Sequence, residues 1–210
     1  MHVPSSATSE ITILPFRKAL EEASREKPEY DVNQWLYVPD FYTEYRYILG
    51  TRGKKPLICV GINPSTAQPG RLDNTLKSVE RIALGNGYDS FIMFNVYAQR
   101  ATDPDTIEKV CNPQLHKENL EAFSYVLSIS EEPGIWAAWG TIIEKRDYLS
   151  ACLQDMLAVG EAHGAKWYCA GKRSKAGHPH HPLYLPKNAP LEPFDVADYL
   201  TTLHNREGRK

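Results

Sequence analysis

The chain has 210 residues, 42% of them hydrophobic and 24% charged, with a formal net charge of −2 and a pI near 6.4. That is enough chain for one globular domain with a full core. It excludes an overall basic, duplex-coating protein, so any nucleic-acid contact must rest on a local patch. No apolar run approaches the roughly 18 residues of a membrane span, and the first residues lack the basic start and apolar core of a signal peptide.

Residues 1–10 read as disordered. From 13 to 26, Leu14, Phe16, Ala19, Leu20 and Ala23 recur at helical spacing with charges between them. In the tyrosine-rich stretch from Tyr37 to Leu49, the segment Tyr45-Arg46-Tyr47-Ile48-Leu49 predicts a strand, and Arg52-Gly53-Lys54-Lys55 a turn. Four continuous apolar runs follow, at 57–62, 91–98, 135–140 and 166–171. Such runs suit strands buried on both faces. Helical segments separate them. The first covers about 74–84, with Leu76, Val79, Ile82 and Ala83 on one side and Asn74 placed to cap it. The second opens at Asn112-Pro113, a capping residue followed by a first-turn proline. The third spans about 143–159, and a last helix lies near 194–204. The proline-rich segment 179–193 reads as a structured loop.

Repeated strand–helix alternation predicts parallel pairing, right-handed crossovers and helices on both faces. The expected fold is therefore α/β, three layers around a short four-stranded, mainly parallel sheet. One domain over 11–210 is expected, an extension at 11–56 preceding a core at 57–205.

The four cysteines, Cys59, Cys111, Cys152 and Cys169, are isolated in sequence. They read as free thiols of a cytoplasmic protein. They lack the spacing of an iron–sulfur site, and no cofactor is expected.

In open parallel sheets ligands bind beyond the carboxyl ends of the strands, so the segments after each run matter most. After the first comes Gly61-Ile62-Asn63-Pro64-Ser65. Its N–H groups suit an anion nest, and Asn63 brings an amide; a purely structural turn is the alternative. After the second come Asn95, Tyr97 and Arg100. An Asn amide can match a base edge with a donor and an acceptor, or merely cap a turn. After the third, Gly140-Thr141 reads best as helix capping. After the fourth, Lys172, Arg173 and Lys175 precede a loop with His178, His180 and His181. The cations suit phosphates or a solvated loop. A neutral histidine can donate to developing negative charge. Metal binding is a lesser reading, because no Asp, Glu or Cys stands nearby in sequence.

These four segments, in this order, resemble the uracil-DNA glycosylase superfamily. Gly-Ile-Asn-Pro-Ser (61–65) resembles its first motif and is closest to the mismatch-specific branch. Phe94-Asn95-Val96-Tyr97 resembles the strand ending in the base-reading Asn. Trp139-Gly140-Thr141 resembles the third-strand segment, and His178-Pro179-His180-His181-Pro182-Leu183 the loop with the catalytic His. The chain is similar also to a bacterial and phage family catalogued only as a domain of unknown function, through Asn-Pro-Ser-Thr-Ala, Arg-Ala-Thr-Asp-Pro and Gly-His-Pro-x-His-Pro-Leu-Tyr.

The superfamily resemblance implies a glycosylase-like fold and cleavage of the N-glycosidic bond of uracil or a modified pyrimidine in DNA. It implies that Asn63 orients water and that His178, or less favourably His181, stabilises the departing base. Asn95 would read the base, Tyr97 would stack on it, and the amides of Ile62 to Ser65 would help. Ser65 stands where strict uracil enzymes carry a bulky Tyr, which leaves room for a 5-substituent. Leu183 or Tyr184 would enter the base stack, and Arg100, Lys172, Arg173 and Lys175 would meet phosphates. Asn63, an amide, cannot be a general base. Hydrolysis of free nucleotides, non-catalytic base or nucleic-acid binding, and a metal-dependent hydrolase are the competing expectations. A monomer acting on single- or double-stranded DNA or on a nucleotide, away from membranes, completes the reading.

Overall fold

The computed structural model describes residues 1–207. Helix α1 (Phe16–Ala23) is followed by strands β1 (Trp35–Val38) and β2 (Ile48–Thr51) from the tyrosine-rich stretch. The four apolar runs then form β3 (Pro56–Gly61), β4 (Ser90–Asn95), β5 (Gly134–Ala137) and β6 (Lys166–Ala170). Between them lie α2 (Asn74–Gly85), α3 (Pro113–Ser128) and α4 (Tyr148–Ala162). A short β7 (Leu191–Pro193) and α5 (Val196–Glu207) close the described chain.

The sheet is larger than the sequence predicts. It is a mixed sheet of seven strands in the order β1-β2-β4-β3-β5-β6-β7, not a sheet of four. The expected strands are its parallel centre: β3 pairs parallel with β4 and β5, and β5 with β6. Antiparallel strands flank both sides, β2 on β4 and β7 on β6. The reason is local ambiguity. Four-residue β1 and three-residue β7 are too short to show a period, and only their partners define them. Every residue of β3, β4 and β5 is buried, as continuous apolar runs require.

Side chains alternate between the faces. Ile58 and Val60 join one core cluster with Phe16 of α1, Phe123 of α3, Leu153 of α4 and Leu203 of α5. Leu57 and Cys59 join the other, with Leu76, Val79 and Ile82 of α2. Helices therefore cover both faces. Burying one such aliphatic side chain contributes about 1.5–3 kcal/mol.

Helix boundaries follow their caps. Asn112 accepts from the N–H groups of Gln114 and Leu115, so α3 starts at Pro113 as expected. Asp73 rather than Asn74 caps α2, accepting from Leu76 N at 2.9 Å. The third helix does not begin at 143. Residues Gly140–Lys145 form a 3-10 stretch, Arg146 is extended, and α4 starts at Tyr148. The Arg146 guanidinium is engaged by the carbonyls of Asp105 and Ile107, which hold that break open.

Residues 1–10, expected to be disordered, lie against the body. Thr8 is buried and donates to Glu108, and His2 N donates to Thr102 Oγ1 at 2.7 Å. Those contacts span about a hundred residues, which local composition does not reveal. No helix among the described residues is long and apolar enough to cross a membrane.

Candidate functional site

Two adjoining hollows open beyond the carboxyl ends of the parallel strands. The inner one, about 200 Å³, is floored by Gly61 and Met93 and walled by Arg46, Asn63, Ser65, Asp73, Thr75 and His181. The outer one, about 490 Å³, lies under Gly140, Thr141, His178, Pro179, His180 and Tyr184. Thr102, Pro104, Trp139, Ile142 and His181 line both, so the hollows are one cleft. Gly61 keeps the floor low: a Cβ there would stand 2.7 Å from Met93 Cε.

The loop after β3 is laced to the segment after β4. Ile62 O and Pro64 O accept from Tyr97 N and Ala101 N, both at 2.9 Å. The N–H groups of Asn63 and Ser65 make no hydrogen bond among the described residues. Asn63 is half-buried, and its Nδ2 donates to Ala101 O at 2.6 Å and Pro64 O at 3.2 Å. Both amide hydrogens are thus consumed within the loop. Its Oδ1, an acceptor, is the polar atom left for the cleft. Ile62 and Ser65 line the same hollow.

Asn95 stands behind this loop rather than in the cleft. It is 1% exposed, and oriented so that its nitrogen meets acceptors it donates to Phe94 O and Asn63 O, each at 3.2 Å. Its role here is to brace the first loop. Tyr97 is farther from the expected place. Its ring is fully buried in the core against Tyr148, and its hydroxyl donates to Glu108 and accepts from Asn112 N. It offers no face for a base.

Arg100, expected at a phosphate, is wholly buried. Its guanidinium donates to Ser65 O and Tyr37 Oη and lies 4.4 Å from the Tyr42 ring centroid. Lys172, Arg173 and Lys175 are exposed, with Arg173 over the Phe194 ring. Leu183 and Tyr184 are exposed at 44% and 75%, on a 3-10 turn beside the outer hollow.

The two histidines differ. His178 is 2% exposed, with Nδ1 2.8 Å from Tyr199 Oη and Nε2 3.1 Å from Glu144 Oε1. Trp139 Nε1 donates to the same Tyr199 oxygen at 3.1 Å. The chain of donors then runs from Trp139 to Tyr199 to His178 Nδ1, and from His178 Nε2–H to Glu144. Both ring nitrogens are spent. Burial pushes the His178 pKa down; Glu144 pulls it back and Arg206, 3.5 Å from Glu144, lowers it.

His181 stands at the junction of the hollows, and its Nδ1 accepts from Leu183 N at 3.4 Å. In the neutral ring the proton is then on Nε2. Burial lowers this pKa and Asp73 partly restores it, so the neutral form dominates at pH 7. His181, the less favoured histidine on sequence, is therefore the donor available to a ligand.

Sequence reasoning passed over Arg46, Asp73, Glu144 and Tyr199. Arg46 had a signal: a lone cation in an aromatic, apolar strand segment. Asp73 had one too, as an acid directly before a helical period. Nothing local marks Glu144 or Tyr199, whose partners lie 34 and 21 residues away. Among the described residues no group of three or more His, Cys, Asp or Glu could hold a metal ion.

The fold is that of an α/β protein with a cleft at the carboxyl edge of the parallel strands of a mixed sheet. A family model described as "Protein of unknown function (DUF1643)" matches residues 46–183. The match covers more than half of the chain, which belongs to that family. It begins at Arg46 and takes in every residue lining the cleft except Tyr184. No curated protein and no solved structure matches the chain.

Proposed function

We propose that the cleft binds a pyrimidine nucleotide unit of DNA and hydrolyses its N-glycosidic bond, on a three-layer architecture like that of the uracil-DNA glycosylases. The observation that carries the reading is one shared hollow: Asn63, with its acceptor free, and His181, with Nε2–H free, both line it. In this reading the bond from C1′ to the base breaks with its electron pair leaving on the base. His181 donates a hydrogen bond to the carbonyl oxygen that gathers the charge. Asn63 Oδ1 orients a water toward C1′, and the proton lost from that water passes to solvent, since an amide cannot hold it. Ser65 leaves room for a 5-substituent. In this reading Tyr184 or Leu183, both exposed, enters the base stack. In this reading the exposed Lys172 and Lys175 meet the phosphates of the DNA strand. The protein acts as a cytoplasmic monomer in this reading.

The test is incubation with single- and double-stranded oligonucleotides bearing uracil or 5-substituted uracils, followed by alkali. Strand scission at the modified base is expected. Intact strands for every base remove the reading. A second reading, hydrolysis of a free nucleotide, is favoured by the net charge of −2 and by the buried guanidinium of Arg46 in the inner hollow. Mass spectrometry of monomers after incubation separates the two.

A further inference from the structure

Arg46 and Arg100 are 1% and 0% exposed, and neither forms an ion pair among the described residues. Charged side chains are almost never fully buried without a partner. Arg100 has settled neutral partners in Ser65 O, Tyr37 Oη and the Tyr42 ring. Arg46 has fewer. Its Nη1 donates to Ala67 O at 3.1 Å, and its buried Nε has no partner. Burial and then Arg100 pull its pKa down to about 9, against Tyr37, Asp73 and Tyr42, which raise it, so it stays charged at pH 7.

The wall facing Arg46 carries backbone and hydroxyl donors beside the Asn63 Oδ1 acceptor. Asn63 and Ser65 bring unpaired N–H groups, and Thr75 in the first turn of α2 lines the same hollow. A helix N-terminus adds partial positive charge. One acid intrudes: Asp73, which caps α2 and also faces the hollow.

We propose that the inner hollow is a phosphate site, in which Arg46, the N–H groups of Asn63 and Ser65 and the start of α2 hold the anion while Asp73 accepts a hydrogen bond from its protonated oxygen. The inference does not need the glycosidic reading, and since both use the inner hollow, phosphate and base compete for it. Inorganic phosphate at pH 7 always carries at least one proton, whereas sulfate carries none. Asp73 therefore admits phosphate and repels sulfate. A carboxylate ligand would leave donors on this wall unused, since it presents two oxygens rather than several.

The test is titration of the whole protein with inorganic phosphate and with sulfate at pH 7, read by calorimetry and by the thermal midpoint. Phosphate is expected to bind and raise the midpoint, as any ligand selective for the native state does. Sulfate should bind at least about 10-fold more weakly, the loss from one repelled rather than bonded oxygen. Arg46→Gln should weaken phosphate by about 10–100-fold through loss of a charge-assisted contact. Asp73→Asn keeps a capping side chain. It should fold as the parent does and bring sulfate to the affinity of phosphate. That variant decides the matter if Arg46→Gln fails to fold. A parent midpoint unmoved by millimolar phosphate overturns the proposal. So does equal binding of phosphate and sulfate by the parent, or phosphate preference surviving in Asp73→Asn. A nucleoside monophosphate and its nucleoside form two further arms, read beside inorganic phosphate at pH 5.5, where the monoester, with its second pKa about 6, still carries a proton for Asp73. Tighter binding of the monophosphate than of either phosphate or nucleoside assigns the group to a nucleotide, and equal binding of phosphate and monophosphate assigns it to the free ion; both support a phosphate site. Phosphate binding without any base release would keep this site and remove the glycosidic reading.

Discussion

Two buried polar groupings flank the same cleft, and they are built to opposite rules. Around His178 the donors and acceptors of Trp139, Tyr199 and Glu144 close on one another. Around Arg46 they do not: a buried guanidinium keeps an unmatched Nε beside a hollow. A satisfied network rigidifies its surroundings, whereas an unsatisfied buried charge is a standing demand for a partner. The comparison teaches that the residue most suggestive in sequence, His178 in its Gly-His-Pro loop, serves as a strut. His181 and Arg46 line the inner hollow.

The comparison breaks most sharply on activity. His181→Ala should lower base release by about 10²–10³-fold, the usual loss on removing one oxyanion donor. His178→Ala should act chiefly on stability, lowering it by about 1–3 kcal/mol through two lost hydrogen bonds, measured by urea denaturation. The reverse order of effects would return the donor role to His178.

Filling the floor is a middle-sized test. Gly61→Ala puts a methyl 2.7 Å from Met93 Cε, the end of a flexible side chain. Stability should change little, while phosphate affinity falls. The matched control is Gly50→Ala in β2, where the new Cβ would stand 2.2 Å from Phe91 O. That is backbone, so the β2–β4 pairing must shift and stability should fall by about 1–3 kcal/mol, without any special loss at the cleft.

The smallest effect is on pH. Burial holds both His178 and His181 below the ordinary imidazole range. The unfolded chain therefore takes up protons first as pH falls below about 6.5. Stability is full above that value and is lost from there down toward the depressed folded pKa values. His178 faces Glu144, Arg206 and Tyr199, and His181 faces Asp73. Denaturation midpoints between pH 7.5 and 5 should fall for the parent and fall less for His178→Ala. A parent curve flat over that range would contradict the burial of these imidazoles.

Much of the scaffold was legible locally. Continuous apolar runs marked the four parallel strands, because a strand covered on both faces must be apolar throughout. Asn112-Pro113 marked the start of α3 to the residue, since capping is decided by neighbouring N–H groups. The loop at 61–65 and the histidine loop both follow strand ends and both line the cleft. Tyr97 shows the limit. Strand alternation says that it points away from its neighbours, and only the packing of α3 and Tyr148 says that its side is the core.

Thus the sequence by itself determined the parallel centre of the sheet, the helices between its strands, and the strand ends whose loops line the cleft. Periodicity and capping are properties of neighbours in the chain. Only the tertiary structure decided that β1, β2 and β7 widen the sheet, that Asn95 braces a loop, that His178 spends both ring nitrogens while His181 lines the inner hollow, and that Arg46 is buried without a direct ion pair. Each of those depends on which distant residue supplies or withholds a hydrogen bond, and that is fixed by folding rather than by local order.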